Sequence, residues 1–573
     1  MYVRALQAGE GVASTRASDP VIPRGVQLPG GWDVGEGEPG KAKGAEGRDQ
    51  GGVLGEDSGD ERAEVEDTLG ASDEDEGSVE YALAAEMGEA EGLELRSLAE
   101  VKRTWELATA PAGANVIGSK WVFKAKKDAS GNVVWYKARL VAQGFSQIPG
   151  VDYFDTYAPV AKLASVRTVL AIANRNDMEL HQVDIKGAYL NGDLTPAEVI
   201  YMRHPPGYAP TGSVGKVLRL KCTLYGLKQS GRHWYQKLTS IFMDSMGFAR
   251  CQVDQAVFHK HKDEELTIVV VHVDDCTIAA TTISLIDDFK ARLREHVEVT
   301  DLGELHWLLG IEIKRDRDAG TIHLCQRSYI DSILRRFNFD ELKPVSTPME
   351  PQIDYLLPNP LPPPPRLLPC AMFPTERQSA LSNGRLSPRT PIYPLPSLLW
   401  PYLKGMRDLW LTYEGTERKL VGYADVDGSM AEDRKAVSGY AFIIDGGAVS
   451  WSSKKQEIVS LSTTESEYVT ATHAAKEALW LRSLISEILS PATTLTILFS
   501  DNQSAIALTQ DHQYHARSKH IDIRYHFIRW VVENGALRLI YCPTEDMVAD
   551  TLTKALPSAK VKHFAAELGL SWA

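Results

Sequence analysis

Apolar and polar positions follow regular patterns over two long stretches of the chain and lose them in two others. The sharpest pattern is Leu266-Thr267-Ile268-Val269-Val270-Val271-His272-Val273, which stops at Asp274-Asp275 and resumes as Cys276-Thr277-Ile278-Ala279-Ala280. Two β-branched runs around a short acidic tip predict a hairpin with Asp274 and Asp275 at its turn. Similar runs predict strands at Lys120–Phe123, at Lys137–Val141 and around Asp184 in Gln182-Val183-Asp184-Ile185. Further on, Leu420–Asp425 reads as a strand ending in an acid. Ala441–Trp451 reads as a hairpin turning at Asp445-Gly446-Gly447. The period then changes. Tyr468, Ala471, Ala475, Ala478, Leu481, Ile485 and Ile488 recur at helical spacing, with Glu467 near the start of that helix. Thr494–Phe499 predicts a strand followed by Asp501, Gln503–Leu508 a helix, and Asp550 stands at another helix start.

The patterns fail at residues 1–95, rich in Gly, Glu, Asp and Ala, and at 350–401, where prolines crowd around Leu361-Pro362-Pro363-Pro364-Pro365. The first segment has too few large apolar residues to offset its chain entropy and is expected to be a disordered acidic tail. The second excludes helix interiors and central strands. The expected plan is therefore a tail (1–95), an α+β domain (103–349), a Pro-rich connection (350–401) and an α/β domain (402–573).

Charge changes this picture only in its distribution. The chain carries a net charge of −14, but residues 1–100 hold 8 basic and 24 acidic side chains, which leaves the remainder near neutrality. A near-neutral body can carry a basic channel. The six cysteines form no CxxC pair, so no zinc module is expected, and their scatter suits a reducing compartment. No apolar run reaches the length of a membrane span, and no membrane partner is expected.

The acids carry the candidate chemistry. Adjacent carboxylates beside apolar strands repel each other, and a divalent cation removes that repulsion. Asp274-Asp275 alone could be a plain turn. With Asp184 on a separate strand, the set could hold two metals for phosphoryl transfer, and Mg²⁺ suits such a site because it keeps positions free for phosphates. Asp501 and Asp550 could each be a simple helix cap. Their order, after Asp425 on a first strand and Glu467 on a helix, instead makes a second four-acid set.

Across residues 103–349 the chain resembles the copia-type reverse transcriptases. The runs that carry this are Lys120-Trp121-Val122-Phe123-Lys124, Lys137 through Phe145, Asp184 through Gly192, Leu224-Tyr225-Gly226-Leu227-Lys228-Gln229 and Asp274-Asp275. The resemblance implies a right-hand polymerase with fingers and palm. It puts Asp184, Asp274 and Asp275 at the metal-ligand positions and Tyr189 at a steric gate against the ribonucleotide 2′ hydroxyl. Lys126, Arg139 and Gln229 become substrate-binding candidates, and His272 replaces the family's usual Tyr. Across 402–573 the resemblance rests on Ser450-Trp451-Ser452-Ser453-Lys454-Lys455-Gln456, Thr464-Glu465-Ser466-Glu467-Tyr468, Ser500-Asp501-Asn502-Gln503 and Lys519-His520-Ile521-Asp522. It implies a ribonuclease H-like domain with Asp425, Glu467, Asp501 and Asp550 as catalytic metal ligands. Glu465 rivals Glu467, and Asp427 rivals Asp425. His520 and His526 are as readily structural as functional.

The implied function is RNA-directed DNA synthesis with ribonuclease H activity, using two Mg²⁺ per site, with Mn²⁺ as a substitute. The implied partners are an RNA template, a DNA primer, RNA–DNA hybrid and deoxynucleoside triphosphates. The setting is a cytoplasmic virus-like particle with access to the nucleus. A non-catalytic nucleic-acid-binding relic is the alternative, because the 350–401 stretch reads as a frameshifted or mis-joined connection that would damage the thumb and weaken processive synthesis. An integrase-type recombinase lacks a preceding His/Cys module. No protease, integrase or nucleocapsid motif is found, so a part of the polyprotein or a truncated copy is expected.

Overall fold

The computed structural model describes residues 104–127, 133–205, 212–347, 399–415, 419–427, 435–489, 495–510 and 523–572. The acidic tail and most of the Pro-rich connection lie outside the described residues.

The β-branched run becomes the strand Glu265–His272, inside a six-stranded antiparallel sheet. Its neighbours are Val257–Lys262 and Asp275–Ala280; the latter pairs with Glu179–Ile185, which pairs with Val299–Glu304. Both faces of the central strand are covered, so it reads as continuous apolar sequence rather than as an alternation. Val269 and Val271 pack with Trp234, Phe242 and Phe289. Ile268 and Val270 face the opposite way, towards Val166 and Leu170 of the helix Leu163–Arg175. That helix is buried without a break from Ser165 to Asn174. A helix buried on all sides needs cover on all sides, and the strand Gly447–Lys455 from the C-terminal half supplies part of it.

The C-terminal half has a five-stranded sheet in the order Gly447–Lys455, Val437–Ile444, Val421–Asp427, Thr496–Ser500, Leu537–Tyr541. The first three strands pair antiparallel and the last two join in parallel. The helix Thr463–Leu489 lies across the central strands. The fold is thus an α+β lobe followed by an α/β lobe, the two classes expected for them. Asp445 and Gly446, both at positive φ (51° and 78°), close the expected hairpin.

The two lobes also share a sheet. Ile311–Asp316 pairs with Thr321–Cys325, which pairs with Leu409–Tyr413, which in turn pairs with the strand Leu570–Trp572. Where the sequence reading expects a damaged connection, its described flanks meet. The Val345 amide donates to the Pro401 carbonyl at 3.2 Å, and Ile330, Ile333 and Leu334 pack on Trp400, Tyr402 and Leu403. The helix Leu399–Gly405 includes residues before the expected domain start near Tyr402, and Pro401 lies in its first turn, where a missing N–H costs nothing.

One glycine fixes the approach of the two-stranded ribbon Ser119–Lys127/Val133–Ala142. Gly226 has φ +91°, and a Cβ there would lie 2.1 Å from the Ala142 carbonyl oxygen. Gly226→Ala is expected to cost on the order of 3 kcal/mol through strain and clash together, read as a fall in melting temperature.

Candidate active sites

The first site stands on strand register. Asp275 opens the return strand directly opposite Asp184 on Glu179–Ile185. The hairpin tip is Val273-Asp274, one residue earlier than the expected turn, since His272 pairs with Asp275. Val273 takes φ +62°, an unfavourable conformation for a β-branched residue. The Trp234 indole N–H donates to its carbonyl at 2.6 Å, and the Ile185 amide donates to the Asp274 carbonyl at 2.8 Å, so the tip is held from two sides. Asp184 therefore stands opposite Asp275 on the neighbouring strand, with Asp274 at the adjoining tip, although their oxygens do not form a group within 4.8 Å of one another as those of the second site do.

Their electrostatics call for a cation. Asp274 is 4% exposed and its Oδ1 has no partner. Burial, then repulsion from Asp275, pushes its pKa up to about 8. Burial and the Asp184 charge push Asp275 up to about 6, against a Gln182 amide that donates at 3.2 Å. No cationic side chain is bonded to Asp274 or Asp275 among the described residues, so a divalent ion fits this donor set. Buried His272 has neither ring nitrogen bonded, and burial lowers it to about 4, so it is a neutral packing group.

Around this set, Tyr189 is half-buried in the turn Ala188–Asn191, edge-on to Tyr225 at 5.2 Å, with its phenol pushed up to about 12 by burial. Arg139 lies over the Tyr225 ring at 5.6 Å and hydrogen-bonds its hydroxyl, and the same phenol feels the Asp184 charge. Arg139 and Tyr189 thus border the acids through Tyr225. Lys126 lies on the strand Ser119–Lys127, but its side chain is outside the described residues. Gln229 requires a correction. It is fully buried, accepts from Gln147 at 3.0 Å and donates to the Asp152 carbonyl at 2.8 Å. It braces the 144–153 segment, and its amide is not presented to a ligand.

The second site stands on parallel pairing. Tyr423 is in register with Phe499, so two residues further Asp425 and Asp501 emerge at the same strand ends. Glu467 reaches them from the first turns of the long helix, and one oxygen from each acid lies within 4.8 Å of the others. Glu467 Oε2 is buried without a partner, and burial, then Asp425, pushes Glu467 up to about 9. Burial raises the fully enclosed Asp425 as well. Glu465 is a capping residue: its amide donates to the Ser462 hydroxyl oxygen at 3.1 Å and its carboxylate accepts from the Leu461 amide at 2.6 Å. Asp427 lies outside the three-acid group. His526 accepts from or donates to the Tyr468 hydroxyl at 3.0 Å, a structural bond; His520 lies outside the described residues.

Asp550 also departs from expectation. It sits in a 3-10 turn, Val548–Leu552, and is not one of the three clustered acids. Its oxygens hold Lys554 at 2.6 Å and Lys560 at 3.0 Å. Sequence reading passed over both lysines. The i,i+4 spacing of Asp550 and Lys554 was the available signal.

These shifts have a measurable consequence. Folded-state pKa values above the ordinary carboxylate range mean that the cation-free native protein holds protons the unfolded chain releases. That stability is complete below about pH 4 and is lost as pH rises through about 8 for Asp274 and about 9 for Glu467. In chelator, the melting temperature should fall as pH rises across that range, and saturating Mg²⁺ should flatten the curve. A chelated protein that gains stability over the same range would contradict these environments.

Comparison with known proteins agrees with this anatomy. The sequence model of the family described as "Reverse transcriptase (RNA-dependent DNA polymerase)" matches residues 102–351. The retrovirus-related Pol polyprotein from transposon TNT 1-94 of Nicotiana tabacum is 38% identical over 480 residues, covering 80% of this chain and 36% of that protein. The Pol polyprotein from transposon RE1 of Arabidopsis thaliana is 34% identical, covering 82% and 33%. The chain thus spans about a third of the length of the curated relatives it matches. Among solved structures, a foamy viral protease-reverse transcriptase in complex with double-stranded DNA overlaps 78% of this chain and 68% of its own, at 11% identity and TM-score 0.41, too loose a likeness to bear on function. By sequence, then, residues 102–351 match the reverse transcriptase family, and most of the chain is similar to part of the Pol polyproteins of plant retrotransposons.

Proposed function

We propose that this chain synthesises DNA on an RNA template at Asp184, Asp274 and Asp275 and cleaves the RNA strand of the resulting hybrid at Asp425, Glu467 and Asp501. One observation carries the reading: Asp184 faces Asp275 across paired strands beside the buried, unsatisfied Asp274. In this reading the six-stranded sheet is the palm and the ribbon Ser119–Lys127/Val133–Ala142 belongs to the fingers.

Bound Mg²⁺ or Mn²⁺ would lower the pKa of the attacking hydroxyl or water and offset charge on the leaving oxygen. In the first site, Asp184, Asp274 and Asp275 would hold that ion. Tyr189, fixed against Tyr225, walls the sugar side, and Arg139 supplies positive charge towards the triphosphate. In the second, Asp425, Glu467 and Asp501 would hold the ion and Thr544, donating to Asp501 at 3.0 Å, keeps that carboxylate turned inward. A hybrid would be gripped through backbone and shape rather than by base sequence.

The test uses the purified chain with a DNA primer on a labelled RNA template and deoxynucleoside triphosphates. Mg²⁺ should give both primer extension and shortened RNA, and a chelator should abolish both. Salt-sensitive hybrid binding with neither product, in Mg²⁺ or Mn²⁺, would instead mark a binding relic.

A further inference from the structure

The second site holds a resident positive charge where a second metal would be expected. Lys554 Nζ lies 2.9 Å from Asp425 Oδ1 and 2.6 Å from Asp550 Oδ1. It therefore bridges the first-strand acid and the last acid of the set. The bridge is built from several sides. The Lys554 amide donates to the Asp550 carbonyl at 2.9 Å, the Thr553 hydroxyl donates to Asp425, and Lys560 takes the other Asp550 oxygen at 3.0 Å. Asp550 is 1% exposed, and both of its oxygens are engaged by lysines. Beside this pair, the buried Glu467 Oε2 has no partner, and one Glu467 oxygen lies within 4.8 Å of oxygens of Asp425 and Asp501.

We propose that this site takes one divalent cation, at Asp425, Glu467 and Asp501, and that the Lys554 ammonium is its second positive centre. The inference rests on reading this lobe as a metal-dependent hybrid-cleaving site. Charge favours it: four ionised acids with two lysines leave two negative charges, which one divalent ion neutralises. A second divalent ion would have to displace Lys554 from two carboxylates while Lys560 stays on Asp550. Lys554 is a positioning residue here; it fixes Asp425 and Asp550 and holds the second place closed.

The count of bound cations tests this without reference to activity. The full chain, carrying Asp274→Asn and Asp275→Asn to silence the first site, is saturated with an uncleavable 2′-O-methyl RNA–DNA hybrid and titrated with Mn²⁺ by electron paramagnetic resonance. Tight ions belonging to the second site are those lost on adding Glu467→Gln. The expected count is one, still one in Lys554→Arg, and two in Lys554→Met. Two in the parent, or one in Lys554→Met, would overturn the assignment. Loss of no ion on Glu467→Gln would remove the metal site itself, and this inference with it, a failure distinct from a count of two.

Discussion

Asp184→Asn, Asp274→Asn and Asp275→Asn should each lower primer extension by more than the 10- to 100-fold typical of losing a partner one step removed from a metal. Asn preserves shape but removes the charge that gathers the cation. The three losses should not multiply, because residues that hold one ion act as a unit. Stability should move the other way. Asp274 is buried beside Asp275 with Oδ1 unbonded, so neutralising it removes repulsion, and the chelated Asp274→Asn protein should melt higher than the parent above about pH 7. Extension that survives Asp274→Asn, or chelated Asp274→Asn melting below the parent, would show that the acids are not a cation site.

The second large effect lies between the lobes. Arg175, at the end of the buried helix, meets Asp445 with Nε at 3.2 Å and Nη2 at 2.5 Å, and the Asp445 side chain is fully enclosed. Nearby, Arg167 stacks on Trp451 at 4.0 Å and the Trp480 indole donates to the Val253 carbonyl at 3.0 Å. Removing one member of a buried ion pair leaves the other without compensation, at about 3–5 kcal/mol. Arg175→Met should cost that much in calorimetry and separate one unfolding transition into two. Arg175→Met with Asp445→Asn should lose less than the sum of the single changes, since no charge is stranded and Asn suits the positive-φ turn position. Two transitions already present in the parent would contradict the shared core.

What the sequence made legible divides by physical range. Local signals held: the run Leu266–His272, the turn at Asp445-Gly446 and the helix from Thr463 all appear as expected. Register explains which carboxylates share an edge: Asp184 with Asp275 by antiparallel pairing, and Asp425 with Asp501 by parallel pairing. Glu467 prevailed over Glu465 through a capping box that three-residue spacing from Ser462 already encoded. Long-range pairings were not legible. Nothing local in Leu409–Tyr413 or Leu570–Trp572 says that they extend a sheet begun at Ile311. Gln229 was a ligand-contact candidate only through the family resemblance, and its burial depends on Gln147 and Asp152 far along the chain. Lys554 was hidden by the same limit, since its second carboxylate, Asp425, is 129 residues away.

The central claim is that two separate acid clusters do two separate jobs. One reaction mixture tests it most directly, with the DNA primer and the RNA template carrying different labels and Mg²⁺ present. Asp275→Asn should abolish primer growth and leave cleavage of a preformed hybrid, while Glu467→Gln should do the reverse. If either substitution removes both activities from a protein that still melts cooperatively, or if neither removes any, the assignment of the two sites is wrong.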